Sequence, residues 1–111
     1  MSNTLFSGLE KKAKQASEMA TRELAQSLTG LFHQHLRSSG VPPQEARGCK
    51  IIHDPERDTF IADLTPHVQE LDWGTETRPP MGLTTRFFNR IDVPKMHRTA
   101  LLKASKKMGL T

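Results

Sequence analysis

The first third of the chain is the feature that most restricts its fold. From Ser2 to about Ser38 the apolar residues Leu5, Leu9, Ala13, Ala16, Ala20, Leu24, Leu28, Leu31 and Leu36 recur at steps of three or four, with one longer step near the end. That period belongs to one face of an amphipathic helix. It predicts a single long helix over 1–38, or two helices with a bend at Gly30. The opposite face carries Glu10, Lys11, Lys14, Glu18, Arg22 and Gln26. Much of the apolar stripe is alanine, which lets another element approach closely. A helix of about 35 residues spans about 50 Å, whereas a domain of about 100 residues has a radius of gyration near 13 Å. Part of such a helix is therefore expected to project and contact something else.

The run Ser38-Ser39-Gly40-Val41-Pro42-Pro43 stops this helix, because Gly40 can take the left-handed cap and paired prolines cannot continue an α conformation. A loop to Gly48 follows. Cys49–His53 and Thr59–Leu64 are short β-prone runs around Asp54-Pro55-Glu56-Arg57-Asp58, where proline suits the second position of a type I turn. They predict a β-hairpin over 49–64. Thr65-Pro66 reads as an N-cap and first helical position, opening a short turn over His67 to Leu71. Trp73-Gly74-Thr75 breaks that turn, and Thr75 to Gly82 is a loop. Leu83 to Ile91 is equally compatible with a helical turn and a strand. Asp92-Val93-Pro94 starts a last helix over 94–109, in which Met96, Ala100, Leu101, Ala104 and Met108 share a face and Gly109 is the stop. The expected class is α+β: a long N-terminal helix, a small antiparallel sheet built on the hairpin, and a basic C-terminal helix.

A length of 111 residues is expected to give one domain over 1–111, with 65–91 as its most distinctive segment. Hydrophobic residues make up 35% of the chain, against about 45 to 50% for average domains by a count that includes glycine. Partners are expected to supply part of the stability. Cys49 is the sole cysteine, so the chain closes no internal disulfide and no cysteine-based metal site, which fits synthesis in a cytoplasm. The N-terminus meets lysines too early for a secretory signal. No apolar run approaches the roughly 18 residues needed to span a bilayer, so no membrane role is expected.

Sixteen Lys and Arg against twelve Asp and Glu give a net charge of +4. The cations concentrate towards the C-terminus in Arg86, Arg90, Lys95, Arg98, Lys103, Lys106 and Lys107, where nucleic acid or an acidic protein surface is a natural partner. Little else suggests chemistry. His33 and His35 are two apart, which on a helix turns them to different faces and argues for a partly exposed surface rather than a metal pair. His53, His67 and His97 lie in three separate elements near Asp54, Asp63 and Asp92, without ligand spacing. Cys49 falls in a predicted strand with nothing to activate a thiolate. The seven glycines are isolated, and no phosphate-cradling loop is present. No catalytic residue, cofactor or metal is expected. Arg86-Phe87-Phe88-Asn89-Arg90 interleaves cations and rings as a nucleic-acid surface would. With no Tyr and one Trp, one of Phe87 and Phe88 is instead expected in the core and the other at an interface.

The stretch Thr65 to Arg90, TPHVQELDWGTETRPPMGLTTRFFNR, resembles the head-to-tail joining, or tail-completion, proteins of long-tailed bacteriophages. The matching residues are Val68, Glu70, Trp73, Gly74, Thr75, Pro79, Pro80, Phe87 and Arg90, and the layout of helix, strands, motif and basic helix is similar over most of the chain. The sequence departs from that pattern in having Leu71-Asp72 between Glu70 and Trp73, and Gly82-Leu83-Thr84-Thr85 where a Pro-Phe pair commonly begins the last element. The resemblance implies a structural protein of the virion neck, made in a bacterial host. It implies a ring of identical subunits, usually six in that class or a number matched to a twelve-fold portal. Its neighbours would be portal-adaptor, neck and tail-tube proteins, with genomic DNA passing non-specifically through the channel. Glu70, Trp73, Gly74, Thr75, Pro79, Pro80, Phe87 and Phe88 would then lie at subunit contacts. Arg86, Arg90, Arg98, Lys103, Lys106 and Lys107 would face DNA or acidic neighbours. Read for its physics alone, the motif predicts a positive φ at Gly74, a Trp73 ring buried against the hairpin, and an exposed, rigid loop over Thr75 to Pro80. The alternative reading is a small basic nucleic-acid-binding protein.

Overall fold

A computed structural model describes residues 4–110, with side chains from Gly8 onward; Ser2 and the burial of Leu5 lie outside the described residues. The elements are α1 (Thr4–Ser38), α2 (Pro43–Arg47), β1 (Lys50–Asp54), β2 (Thr59–Asp63), α3 (Pro66–Trp73), α4 (Leu83–Arg90) and α5 (Val93–Lys107). The architecture is α+β, mostly helical with one two-stranded antiparallel sheet. The chain forms two compact units: residues up to Leu24 together with those from Val93 on, and Ala25–Asp92.

Helix α1 is continuous through Gly30. Its buried positions are Ala16, Ala20, Leu24, Leu28, Phe32 and Leu36, one every fourth residue, with His35 beside them. The expected stripe was wrong at three places. Leu31 is 39% exposed because it lies one residue, about 100° of helix, away from Phe32, which holds the inward position. Leu9 is 46% exposed, and Ala13 is exposed as well. The helix ends in a Schellman motif: the Val41 N–H bonds the Leu36 carbonyl at 3.0 Å, the Gly40 N–H bonds the Arg37 carbonyl at 3.1 Å, and Gly40 has φ 98°. Gly109 ends α5 in the same way, with φ 75° and the Leu110 N–H on the Ser105 carbonyl at 2.8 Å.

In the second unit the hairpin pairs Lys50 with Asp63, Ile51 with Ala62 and Ile52 with Ile61. Asp54 Oδ1 accepts the Glu56 N–H at 3.1 Å across the turn, and Asp58 takes the left-handed region at φ 48°. The sheet turns Ile51 and Phe60 inward. Two side chains of α1 clamp the backbone at the start of the hairpin, in β1 and at Cys49 before it. The Ile51 N–H donates to Thr29 Oγ1 at 2.9 Å, that hydroxyl donates to the Ala25 carbonyl at 2.8 Å, and His33 Nε2 donates to the Cys49 carbonyl at 2.6 Å. His35 Nε2 donates to the Leu83 carbonyl at 2.9 Å, and its ring lies 5.6 Å from that of Phe87. His33 and His35 thus bond two different segments; His33 is partly exposed as expected, and the expectation is corrected for His35, which is buried. The segment read as a loop before Cys49 contains α2, opened by Pro43 after Pro42. Leu83–Arg90, open between helix and strand on sequence, is the helix α4, with Leu83 and Phe87 buried at i, i+4.

Among the described residues the other unit has a thin interior. Ala16, Ala20 and Ala104 are buried together, flanked by partly buried Met19, Ala100, Met108 and Leu110. Lys107 Nζ lies 3.5 Å from Glu23 Oε1. Leu101, expected on the buried face of α5, is 40% exposed, and Leu102 is 57% exposed.

Gly30 sits inside α1 with nothing within 4 Å of an added Cβ. Replacing it with alanine removes backbone entropy from the unfolded chain without a clash. The Gly30→Ala variant should be more stable by about 0.5 to 1 kcal/mol, seen as a higher midpoint in urea unfolding. An unchanged or lower midpoint would mean that the helix needs the glycine.

Candidate interaction surface

The segment from α3 to α4 is held by its own backbone. Thr65 occupies the N-cap position of α3 with an extended backbone but no side-chain capping bond, and Pro66 is the first helical residue. Thr65 Oγ1 lies instead 3.9 Å from the buried Cys49 Sγ. Val68 and Asp72, four apart, face inward. Gly74 caps α3 at φ 83°, donating to the Glu70 carbonyl at 2.8 Å. A Cβ there would meet Pro80 N at 2.7 Å and the Arg78 carbonyl at 3.0 Å. The loop thus closes directly onto the glycine, and no other residue fits.

Thr75 organises that loop. Its N–H donates to the Arg78 carbonyl at 2.9 Å, while its hydroxyl oxygen accepts the Thr77 N–H at 3.3 Å and the Arg78 N–H at 3.2 Å. The chain then returns to α3: the Met81 N–H bonds the Leu71 carbonyl at 2.9 Å, and the Gly82 N–H bonds that of Asp72 at 3.2 Å. Asp72 Oδ1 also accepts the Thr84 N–H at 3.0 Å. Gly82, in the left-handed region at the N-cap of α4, has no side chain to cap with, so Asp72 supplies the cap from twelve residues upstream. Its role is not visible in sequence, because no local capping spacing connects it to α4.

Trp73 corrects one expectation. It is 68% exposed rather than buried against the hairpin. Asp72 takes the inward position of the last turn of α3, and Trp73, one residue on, is carried around to solvent. The other motif residues are distributed unevenly. Glu70, Thr75, Pro79 and Pro80 are exposed. Glu70, Thr75 and Pro79 line an open groove of about 710 Å³ with His67, Leu71, Thr77, Arg78 and Met81. Phe87 is in the core, its ring 5.0 Å from that of Phe32, and half-buried Phe88 lies 5.3 Å from Phe87. A second cavity of about 230 Å³ is lined by Ala62, Asp63, Leu64, Gln69, Asp72, Trp73 and Thr84.

Arg86 and Arg90 are exposed on α4, and Arg98, Lys103, Lys106 and Lys107 are exposed on α5. Apart from Lys107, none of these six makes an ion pair among the described residues. His53 bonds Asp58 at 2.9 Å, and His67 bonds Glu45 at 2.6 Å. Among the described residues no three His, Cys, Asp or Glu side chains gather as a metal site would require, and no helix is long and apolar enough to cross a membrane.

No protein-family model matches the chain, and neither does any curated protein or solved structure. The surface must therefore be read from its own geometry.

Gly74→Ala should cost about 2 kcal/mol or more, since it adds left-handed strain to a clash with backbone. Trp73→Ala should change stability by no more than about 0.5 kcal/mol, because the ring is already in solvent. Chemical unfolding of both variants checks the pair, and a large loss for Trp73→Ala would mean that the ring packs.

Proposed function

We propose that this chain is a structural subunit of a tailed-bacteriophage neck, joining the portal side of the head to the tail as a ring-forming tail-completion or head-to-tail joining protein. The observation that carries this reading is the small size of the helical unit's interior among the described residues. Its fully buried cluster is three alanines, whereas Leu9, Leu101 and Leu102 stand exposed on α1 and α5. Each leucine fully buried contributes about 1.5 to 3 kcal/mol, and here that contribution is left for a neighbour to realise. A second copy packed on these helices would supply it, as a ring of identical subunits requires.

Two further features support the reading. The sequence from Thr65 to Arg90 resembles neck proteins in its Glu70, Trp73-Gly74-Thr75 and Pro79-Pro80 pattern. The Thr75–Pro80 loop is exposed yet tied by its own hydrogen bonds, so docking it costs little ordering entropy. In such a ring the cations of α4 and α5 would meet channel DNA or acidic neighbours, and no catalytic step is invoked.

Arg86, Arg90, Arg98, Lys103 and Lys106, exposed and without an ion pair among the described residues, favour a second reading, a small nucleic-acid-binding protein. That reading predicts affinity for free DNA that falls steeply with salt.

Light scattering on the full chain with Leu101→Ser and Leu102→Ser combined tests the first reading. The unsubstituted protein should self-associate as concentration rises, and the double variant should remain a monomer with an unchanged unfolding midpoint. Indistinguishable masses for the two at every concentration would contradict assembly through these helices.

A further inference from the structure

The exposed leucines of α5 have a counterpart on the hairpin. The helical unit carries nine Lys and Arg against three Asp and Glu, whereas the unit Ala25–Asp92 carries seven against nine. One is net positive and the other net negative. Helix α5 concentrates the positive charge, with no Asp or Glu along its length. Leu102 is exposed on it between exposed Arg98 and Lys106, four residues to either side and so on the same face.

The outer face of the hairpin repeats that pattern with the opposite sign. The register puts the pairs Ile52–Ile61, Lys50–Asp63 and Asp54–Thr59 on one face, and Ile51, His53, Phe60 and Ala62 on the other. Ile51 and Phe60 are buried, so their face is the inner one, while Ile61 is 43% exposed. An isoleucine pair therefore lies at the centre of the outer face with a carboxylate towards each end. Asp63 is exposed, and neither it nor Asp54 makes an ion pair among the described residues. Asp54 keeps one oxygen on the Glu56 N–H. Lys50 is the one cation of the two strands, and exposed Glu56 and Asp58 extend the acidic surface around the turn. The spacings agree as well. Asp54 and Asp63 are four residue steps apart along the ladder, about 13 Å; Arg98 and Lys106 are separated by about 12 Å of helix.

We propose that α5 of a second copy packs on this outer face, with Leu102 against Ile52 and Ile61 and with Arg98 and Lys106 beside the two carboxylates. The proposal rests on the reading of the chain as a self-assembling subunit and names the surface its leucines meet. A helix laid on a sheet is an ordinary way to cover an apolar sheet face. Charge selects this arrangement over α5 packed on α5, which would set the cations of two copies against each other. Because the contact joins two different surfaces of the chain, it is heterologous and can close into a ring.

Light scattering on the full chain tests the contact. Ile61→Lys changes an exposed side chain, so it should keep the unfolding midpoint while raising the concentration at which the chain associates by about tenfold or more. Asp63→Lys, also at an exposed position, should act in the same direction and keeps the test open if Ile61→Lys does not fold. An equimolar mixture of Ile61→Lys with the Leu101→Ser and Leu102→Ser double variant should give a dimer and nothing larger, since each copy retains one of the two complementary surfaces. Ile61→Lys and Asp63→Lys chains that associate like the unsubstituted one, or a mixture that stays monomeric, would overturn this contact while leaving assembly through the helices in place. An unsubstituted chain that never associates would overturn both.

Discussion

About two turns of α1, from Thr29 to Leu36, hold the second unit together. A two-stranded hairpin is at best marginally stable alone, and α4 is only eight residues long. Both are fixed by the same helix: Thr29 bonds the backbone of β1, His33 bonds that of Cys49 just before it, and Phe32 and His35 pack on and bond α4. Each is a contact between residues far apart in sequence. The loop after Gly74 depends on this arrangement in turn, because Asp72 joins it to the first turn of α4, whose Leu83 carbonyl is held by His35.

Where local backbone chemistry decides the structure, the sequence was readable. Gly40, Gly74 and Gly109 were expected to stop helices, and all three have positive φ. The hairpin follows from two β-prone runs around a proline-containing turn, with its boundaries displaced by one residue. Where tertiary contacts decide, reading by pattern failed. Leu31 and Phe32 are both apolar neighbours on α1, and it is Phe32 that holds the inward position, its ring 5.0 Å from that of Phe87. Trp73 looked like a core anchor because of its size, yet Asp72 holds the inward place through a bond to Thr84. His33 and His35 diverge around the helix as their spacing requires. Their partners, Cys49 and Leu83, lie far along the chain and leave no trace near either histidine.

The two units are built on different economies of side chain. The second has large buried groups, with Phe32, Leu28, Leu36, Leu83 and Val68 fully enclosed. Among its described residues the first encloses Ala16, Ala20 and Ala104 with Leu24 and presents Leu9, Leu101 and Leu102 to solvent. An exposed apolar helix surface on a chain with only 35% hydrophobic residues is not a by-product of excess apolar content. It is explained as a surface kept for a neighbour, and that inference underlies the proposal of a phage-neck role.

The most direct measurement of that claim is electron microscopy of the purified chain, alone and mixed with whatever portal or tail proteins are encoded beside it. The account predicts closed rings, or incorporation into a neck complex, with the leucines of α1 and α5 at the contacts between subunits. A chain that stays monomeric, ignores those proteins and instead binds DNA in a salt-sensitive way would contradict it.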